Sequence, residues 1–394
     1  MQAPDQELEE QQGEHFTPTA APELFTRNSA QRGPESAIGV VLVNFETPPD
    51  VLGRTVAALL GSAGVGPNDM VRLIDLVVID NASQKNRLEA KTAVAELGDA
   101  RIRWIDLARN TGFSGGVNRA IATLDQRCSL VFLCNPDATV EAEALRRCAD
   151  ALIAEPKSCV SAAPKMLLEL ASDEVILDSI GHVVNERGEA FNLGLGQPDL
   201  GQYDRPSNCF GPCFGAALIR RDAFDPSQVG PLDESLFLYY EDVDWNWRAQ
   251  LLGFDSVTVP TARVHHVMSI SMRDRPYGDK FELTERNLLI CTLKNFSGTH
   301  GVRVAVRRCL GLLKGSITMR HYPGPGLRAL SGLARRLPTL LRDRQSVQCR
   351  RVRSDAQVLK FARGEQTFFD AVTYEPIDRA AAERFARAKI NRPG

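Results

Sequence analysis

The chain has 394 residues, of which 43% are hydrophobic and 24% are charged, and its formal net charge is −2. This is an ordinary globular mixture, long enough for one large domain with a smaller one, or for two domains. No apolar run approaches about 18 residues and the N-terminus lacks a signal pattern, so we expect neither a membrane-spanning helix nor export by a cleaved signal.

Nine cysteines are scattered along the chain without a Cys-x-x-Cys pair. This odd number, in apolar segments, favours reduced, buried thiols in a cytoplasmic protein over a disulfide framework. Cys209 and Cys213 flank a Gly-Pro turn, but no histidine stands at zinc-binding spacing from them. We therefore do not expect a structural zinc site at this pair.

Charge is distributed unevenly along the chain. Residues 1–36 contain seven acids and two bases and show no periodicity, which predicts a disordered tail. Residues 301–363 contain fifteen bases and two acids. The C-terminal third is therefore expected to carry a basic surface on a nearly neutral protein.

Strand and helix patterns alternate from residue 37 to residue 134. Apolar runs typical of buried strands occupy residues 37–43, 73–79, 102–107 and 130–134, and segments with helical spacing lie between them at residues 51–60, 84–97 and 116–125. Strands that alternate with helices pair in parallel through right-handed crossovers. The sequence therefore predicts an α/β protein with a doubly wound, mostly parallel sheet flanked by helices.

Polar side chains follow three of these strands where they end. Because carboxyl ends of parallel strands meet at one edge, where open α/β folds bind ligands, we expect these side chains to converge. Taken alone, the Asn-Pro-Asp sequence after the fourth strand is more typical of a turn and N-cap before a helix near Val140 than of a ligand site, and the other motifs reverse this preference. The polar residues at these ends are Asn44, Thr47, Asp80, Asn81, Asn135 and Asp137.

The loop at residues 109–116 is rich in glycine and precedes a helix. Such a loop suits a phosphate group that approaches bare backbone N–H groups, although the signal is weak by itself. The chain has neither Gly-x-Gly-x-x-Gly after its first strand nor Gly-Lys-Ser/Thr. A dinucleotide-binding fold and a P-loop are therefore disfavoured.

The strand patterns continue in the second half of the chain. Residues 160–201 are irregular, which predicts an insertion that lines an acceptor cleft, and strand patterns return at residues 214–220 and 254–259. The last of these is followed by the adjacent histidines His265 and His266. Since side chains alternate along a strand, one ring should point inward and one outward, and either a structural or a ligand role is open to them.

Residues 230–245 combine several acids with aromatic and leucine side chains. Acids within apolar sequence are costly to bury unless they have a role. A helix over residues 242–252 would explain the acids Glu241 and Asp244, because negative charge near a helix N-terminus is stabilised by the helix dipole. It would not explain Asp233 and Glu234. This segment is therefore a candidate for catalytic carboxylates.

Together these segments resemble the family 2 inverting glycosyltransferases with a GT-A fold, and most closely their rhamnosyltransferase-like and galactofuranosyltransferase-like branch. The resemblance covers residues 37–295 in the family's order. Each motif is unspecific by itself, whereas seven in order are specific. The motifs are residues 43–45, 78–83, 110–118, 135–137, 233–234, 237–244 and 260–266.

The resemblance implies a nucleotide-sugar donor. Asp80 matches a residue that accepts a hydrogen bond from the N3–H of uracil or thymine, and Phe45 and Thr47 match residues that border the base. Arg109, Asn118 and the backbone of residues 112–116 match a site for the diphosphate. The implied donor-binding residues are Asn44, Phe45, Thr47, Asp80, Asn81, Arg109, Asn110, Gly112, Asn118, Asn135 and Asp137.

The resemblance also implies a divalent cation, Mg²⁺ or Mn²⁺, held by Asp137 and His266 between the donor phosphates. Many GT-A enzymes have Asp-x-Asp where this chain has Asn135 and Asp137, which leaves one carboxylate for the metal. We therefore expect catalysis with weaker metal binding. Which of His265 and His266 faces the metal stays open.

Asp242 matches the family's general base, and Glu241 beside it completes the expected catalytic pair. The base takes the proton from the acceptor hydroxyl as that oxygen attacks the anomeric carbon opposite the leaving group. This single displacement inverts the anomeric configuration. Glu241 and Asp244 are expected to shape or polarise the site.

Helical spacing continues through residues 302–317, breaks at residues 323–326 and resumes at residues 327–341. A helical cap with a solvated basic face fits this pattern, as does an amphipathic segment that rests on anionic lipid near a lipid-diphosphate acceptor. Nucleic acid is disfavoured because no aromatic interleaving accompanies the charge. In the first helix we expect one side to carry Val304, Val306, Leu310, Leu312 and Leu313, and the other Arg303, Arg307, Arg308 and Lys314.

The sequence thus predicts a tail (residues 1–36), a GT-A domain (residues 37–295) and a basic helical region (residues 296–394). The expected reaction moves rhamnose or a related sugar from a dTDP- or UDP-sugar to a cell-envelope glycan or lipid-linked acceptor, in the cytoplasm or at the inner face of the plasma membrane. Two alternatives are a sugar-1-phosphate nucleotidyltransferase and a non-catalytic nucleotide-sugar-binding module. The first is disfavoured because no glycine-rich signature with Lys or Arg follows the first strand.

Overall fold

The structure is a computed structural model, and it describes residues 36–169, 174–267, 277–318, 323–362, 364–365, 369–370, 375–376 and 379–390. The predicted disordered tail lies outside these residues, apart from Ser36. The strands are β1 (Ser36–Asn44), β2 (Val71–Asp80), β3 (Ile102–Asp106), β4 (Leu130–Cys134), β5 (Ala138–Val140), β6 (Cys159–Leu168), β7 (Ile176–Ser179), β8 (His182–Val184), β9 (Ala190–Asn192), β10 (Asn208–Cys209), β11 (Ala216–Arg220), β12 (Asp255–His266), β13 (Phe369–Asp370) and β14 (Glu375–Pro376). The α-helices are α1 (Pro49–Leu60), α2 (Arg87–Ala95), α3 (Gly112–Thr123), α4 (Ala144–Ala154), α5 (Glu241–Leu251), α6 (Tyr277–Asn295), α7 (His300–Thr318), α8 (Pro323–Cys349), α9 (Asp355–Leu359) and α10 (Arg379–Ile390).

The main sheet has the strand order β10-β12-β6-β11-β4-β1-β2-β3. The neighbours from β4 to β3 pair in parallel, as do β6 and β12, whereas β11 runs antiparallel between β4 and β6. Alternate side chains of β1 enter separate cores on the two faces: one with α1, α2 and α4, the other with α3 and α5. This double burial explains the continuous apolar runs, and it confirms the predicted α/β class with a mostly parallel sheet.

The register brings the strand ends together as expected. Asn44 at the end of β1 lies beside Asp80 at the end of β2, and Leu42 pairs with Cys134 at the end of β4. The polar residues that follow these three strands therefore meet at one edge of the sheet.

Two segments differ from the predicted elements. The helix expected near Val140 begins only at Ala144, because residues 138–140 form the short strand β5, which pairs with the end of β12. Residues 159–168 form the fully buried strand β6 where an irregular insertion was expected. The charged residue Lys165 interrupts the apolar pattern of β6 in the sequence. Its ammonium is buried and lies 2.9 Å from Asp199 and 2.5 Å from Asp204, and no local sequence signal predicts these ion pairs.

A buried ion network joins α5 to the C-terminal helices. Asp244 is fully buried, accepts hydrogen bonds from Arg248 and Asn295, and lies 2.9 Å from the Lys294 ammonium. Burial opposes the charge of Asp233, but the charge and hydrogen bond of Lys294 outweigh it and hold the pKa of Asp233 well below its usual range. Asp244 thus acts in packing, and its expected role in shaping or polarising the site stays a prediction.

The outward face of α7 is apolar. Val302, Val306, Leu310 and Leu313 follow one another at helical spacing and are each more than two-fifths exposed. Leu312 is buried, so the predicted apolar side was only partly right: Val306, Leu310 and Leu313 face outward beside basic residues. Among the described helices none combines the length and the apolarity that crossing a lipid bilayer requires.

Candidate active site

A cavity of about 360 Å³ opens at the carboxyl edge of the sheet. Its walls come from the ends of β1, β4 and β12, from the first turn of α5 and from α6. The predicted site residues that line it are Phe45, Asn81, Asn110, Gly112, Asn135, Asp137, Glu241, Asp242 and His266. The expected acids from the two halves of the chain therefore share one cavity.

Asp137 and His266 are brought together by the pairing of β5 with β12. The backbone N–H of Val267 donates to the Asp137 carbonyl at 3.0 Å, which fixes the two segments side by side. His266 Nε2 then lies 3.3 Å from Asp137 Oδ1 and 3.3 Å from the Asn135 amide. Side-chain alternation leaves His265 half exposed, 3.1 Å from Glu141, so His266 is the inward histidine.

Asp178 of β7 completes this group, although no sequence pattern singled it out. Its carboxylate is buried and lies 2.8 Å from His266 Nδ1. Burial opposes a charged imidazole, but the hydrogen bonds to Asp137 and Asp178 outweigh it and raise the pKa of His266 to about 10 in the metal-free protein. With Nδ1 engaged by Asp178, Nε2 is directed toward Asp137 and Asn135.

The glycine-rich loop is fixed by Asn81 at the end of β2. Asn81 Oδ1 accepts from the Thr111 N–H at 2.8 Å, and its Nδ2 donates to the Gly112 carbonyl at 3.0 Å. Gly112 has φ +71°, and a Cβ there would lie 2.2 Å from the Phe237 carbonyl oxygen. Only glycine fits this close approach at the start of α3, which packs the loop against the segment before α5.

Asn44, Thr47 and Asp80 lie beneath the cavity surface, each at most 1% exposed. Asp80 already accepts hydrogen bonds from Asn44 Nδ2 at 2.8 Å and from the Ser83 N–H at 3.0 Å. The expected direct contact between Asp80 and a base is therefore not supported by this arrangement. Asn44 Oδ1 and Thr47 Oγ1 are buried without a hydrogen-bond partner among the described residues, which leaves them as acceptors near this position.

Two further predicted donor residues do not line the cavity. Arg109 is exposed. The Asn118 amide is engaged by Leu232, whose carbonyl accepts from Nδ2 at 2.9 Å and whose N–H donates to Oδ1 at 3.0 Å. The expectation that these two residues face a diphosphate is therefore not supported, because one is on the surface and the other connects α3 to the acidic segment.

Asp242 and Glu241 stand at the start of α5 and face the cavity. Backbone N–H groups of Val243 and Phe214 donate to the Asp242 carboxylate at 2.8 and 3.3 Å, which fixes its orientation. Burial, and then the neighbouring Asp242 charge, raise the pKa of Glu241 well above its usual value. The pair thus combines a carboxylate that reaches the cavity with a buried acid that favours its protonated form.

The segment before α5 is strained. Phe237, Tyr239 and Tyr240 have φ of 65°, 69° and 68°, a region that bulky residues rarely adopt. Asn287 of α6 holds this backbone, because its Nδ2 lies 2.7 to 2.9 Å from the carbonyls of residues 236, 238 and 239. The position of Asp242 therefore depends on α6.

The cavity also contains residues that the sequence analysis missed. Asp178 and His182 belong to the segment that was taken as an irregular insertion, Cys213 precedes β11, and Lys280 and Thr284 belong to α6. The polar Asp-Ser-x-Gly-His pattern at residues 178–182 could have drawn attention to the first two. No local signal marks the other three.

The known proteins that this chain resembles are described as glycosyltransferases. Residues 40–226 match the family model described as "Glycosyl transferase family 2". A segment of 58 residues, 14% of this chain, is 48% identical to N-acetylglucosaminyl-diphospho-decaprenol L-rhamnosyltransferase from two strains of Mycobacterium tuberculosis. The match spans 18% of those relatives' length. Asp242 and His266 lie beyond the segment matched by the family model.

Among solved structures, GalNAc-T7 crystallised with UDP, GalNAc and Mn²⁺ is similar with a TM-score of 0.57. The match covers 84% of this chain and 57% of that one, with 13% sequence identity. At this identity the likeness concerns the fold, and it confirms the GT-A architecture expected from the sequence.

Proposed function

We propose that the chain is an inverting glycosyltransferase of family 2 that uses a nucleotide-diphosphate sugar, because residues 40–226 match the glycosyl transferase family 2 model. The observation that carries the proposal is the shared cavity of Asp137, His266 and Asp242. This cavity contains both ligands for a cation and a carboxylate for proton transfer. A single displacement needs both.

In the proposed mechanism Asp242 is the general base. Its carboxylate accepts the proton of the acceptor hydroxyl while that oxygen bonds to the anomeric carbon and the bond to the diphosphate breaks. The N–H groups of Val243 and Phe214 hold the carboxylate for this transfer. We assign the buried, proton-retaining Glu241 to shaping the same wall.

Asp137, Asn135 and His266 fit a divalent cation. Asp137 offers a carboxylate oxygen, Asn135 an amide and His266 Nε2 an imidazole nitrogen, a set that suits Mg²⁺ or Mn²⁺. When bound, such a cation stabilises the negative charge of the departing nucleoside diphosphate. Asp178 keeps the histidine oriented by holding Nδ1, and Asn81 holds the glycine loop for the phosphates.

The role of Asp178 leads to a prediction. Asp178→Asn should weaken Mn²⁺ binding by about tenfold to a hundredfold, because partners of a metal-bound histidine typically contribute that much. Electron paramagnetic resonance titration of free Mn²⁺ measures this without any turnover. Asp222→Asn is the matched control, since Asp222 is exposed and lies outside the cavity. Equal Mn²⁺ affinity in Asp178→Asn and Asp222→Asn would show that Asp178 does not support metal binding by His266.

For the donor we propose a dTDP- or UDP-sugar, with rhamnose or a related sugar. The short match to a rhamnosyltransferase supports the sugar, and the nucleotide is the one that the family resemblance implies. A thermal-shift panel of UDP-, dTDP- and GDP-sugars, with and without Mn²⁺, tests the choice. We expect the largest stabilisation with dTDP- or UDP-sugars plus Mn²⁺, and a preference for GDP-sugars would contradict it.

We propose further that the acceptor is lipid-linked and that the basic region over residues 296–394 rests on an anionic membrane. Exposed apolar side chains of α7 support this, because Arg303 and Arg307 are exposed beside them. Apolar burial in the interface and attraction to anionic lipid would act together, with each arginine contributing about 1 kcal/mol.

Vesicle sedimentation tests the membrane proposal. The protein should bind phosphatidylglycerol vesicles more tightly than phosphatidylcholine vesicles, and Leu310→Asp should weaken that binding. Leu88→Asp is the matched control, because Leu88 is an exposed leucine on α2. Equal binding of the protein to phosphatidylglycerol and phosphatidylcholine vesicles would contradict the membrane proposal. An equal loss of binding in Leu310→Asp and Leu88→Asp would show that α7 is not the surface that contacts the lipid.

A further inference from the structure

A second group of metal-ligating side chains lies in the cavity. His182, Cys213 and Asp242 each offer one ligand atom, and these atoms all lie within 4.8 Å of one another. The sequence did not suggest this group, because His182 is far along the chain from Cys213. The fold brings them together at the wall that carries the proposed base.

The spacing of these atoms suits a cation better than a direct contact. His182 Nε2 lies 3.6 Å from Asp242 Oδ2, which is too long for a hydrogen bond. In a tetrahedral zinc site, two nitrogen or oxygen ligands that each lie about 2.0–2.2 Å from the metal are roughly 3.3–3.6 Å from one another. The pair therefore already stands at the ligand separation of such a site.

Hydrogen bonds fix the backbone of two of these residues. The backbone N–H of His182 donates to the Gly211 carbonyl at 2.7 Å, and the Cys213 carbonyl accepts from the Ala216 N–H at 3.2 Å. The Asp242 carboxylate accepts from the N–H groups of Val243 and Phe214. The fold therefore holds the three residues beside one another.

The chemistry of the ligands favours zinc. A thiolate and an imidazole suit zinc, whereas Mg²⁺ and Mn²⁺ prefer oxygen-rich sites such as the one at Asp137. Burial and the charges of Asp242 and Asp178 raise the pKa of the Cys213 thiol well above its usual value. Binding must therefore release the thiol proton to solvent, and zinc affinity should rise with pH.

We propose that His182, Cys213 and Asp242 form a zinc site, and that Zn²⁺ bound there inhibits the enzyme by occupying the Asp242 carboxylate. All three residues line the cavity, so a fourth coordination position faces the substrate space. The inhibition rests on the proposed role of Asp242 as base, whereas the site itself does not.

Cobalt spectroscopy on the full-length protein tests the site without turnover. With Mn²⁺ at saturation, Co²⁺ should give a near-ultraviolet thiolate-to-cobalt charge-transfer band. Cys213→Ser should abolish the band, and His182→Gln should weaken Co²⁺ binding. Cys349→Ser is the matched control, because Cys349 is exposed on α8 and should leave the band unchanged. No band, or a band that persists in Cys213→Ser, would overturn the site.

Zinc titration of transferase activity tests the consequence. Zn²⁺ should inhibit the parent protein at saturating Mn²⁺. Cys213→Ser should raise the inhibitory Zn²⁺ concentration by at least about tenfold, because removing a metal ligand lowers metal affinity at least as much as removing the hydrogen-bond partner of a ligand. Equal inhibition of both proteins would indicate displacement of Mn²⁺ at Asp137 and would overturn the proposal. If no transfer activity is found, the proposed function fails while the cobalt result still decides the site.

Discussion

We expect Asp242→Asn to lower the rate of sugar transfer by about a hundredfold to ten-thousandfold, the contribution of a positioned general base. An amide cannot take the acceptor proton, so the acceptor oxygen would attack without assistance. Donor binding should be nearly unchanged, since Asp242 is not among the proposed donor-binding residues or ligands of the Mg²⁺ or Mn²⁺ site. Single-turnover rates and equilibrium titration with nucleoside diphosphate measure the two effects separately.

The control for this variant is Glu234→Gln, which makes the same chemical change in the segment leading to α5. Glu234 is half exposed and is absent from the cavity wall. Both variants should keep a melting temperature close to that of the parent. Turnover near the parent rate in Asp242→Asn would exclude this residue as the base, and loss of nucleotide binding would point instead to a collapsed site.

Asp137→Asn is expected to have the second large effect. It leaves His266 and two neutral amides facing the diphosphate, so Mn²⁺ binding should fall and transfer should slow by more than about a hundredfold, because a Lewis-acidic cation supplies several kcal/mol. EDTA should abolish the activity of the parent protein, and added Mn²⁺ or Mg²⁺ should restore it.

Metal titration of the Asp137→Asn variant separates the two possible causes of a loss. Weak Mn²⁺ binding with partial rescue at high Mn²⁺ supports a role as ligand. Asp150→Asn, a change at a half-exposed carboxylate on α4, should behave as the parent protein. Activity that survives EDTA would contradict the metal proposal for Asp137 and His266 together.

The sheet and the meeting of the acids could be predicted from the sequence. Buried parallel strands leave continuous apolar runs, and their carboxyl ends must share an edge. Asp137 was therefore placed correctly from the end of β4, and the inward orientation of one histidine followed from strand alternation. These inferences depend on periodicity, which is a local property.

What the sequence did not reveal depends on contacts between distant segments. Asp178 is a functional candidate only because β7 and β12 both pair with β6, which brings the Asp178 carboxylate to His266. Asp80 and Asn118 carry the expected residue types, yet their polar atoms are engaged within the protein. A polar residue near a site can bind a ligand or hold the backbone, and local sequence does not distinguish these uses.

The strained backbone before α5 has a consequence for how the protein can be divided. Asn287 holds residues 236–239, Arg336 of α8 donates to Ser235 at 2.7 Å, and Arg344 donates to the Phe296 carbonyl at 2.7 Å. A fragment ending at residue 226, or even at residue 295, would lack part of this scaffold. The smallest active piece should therefore extend through α8.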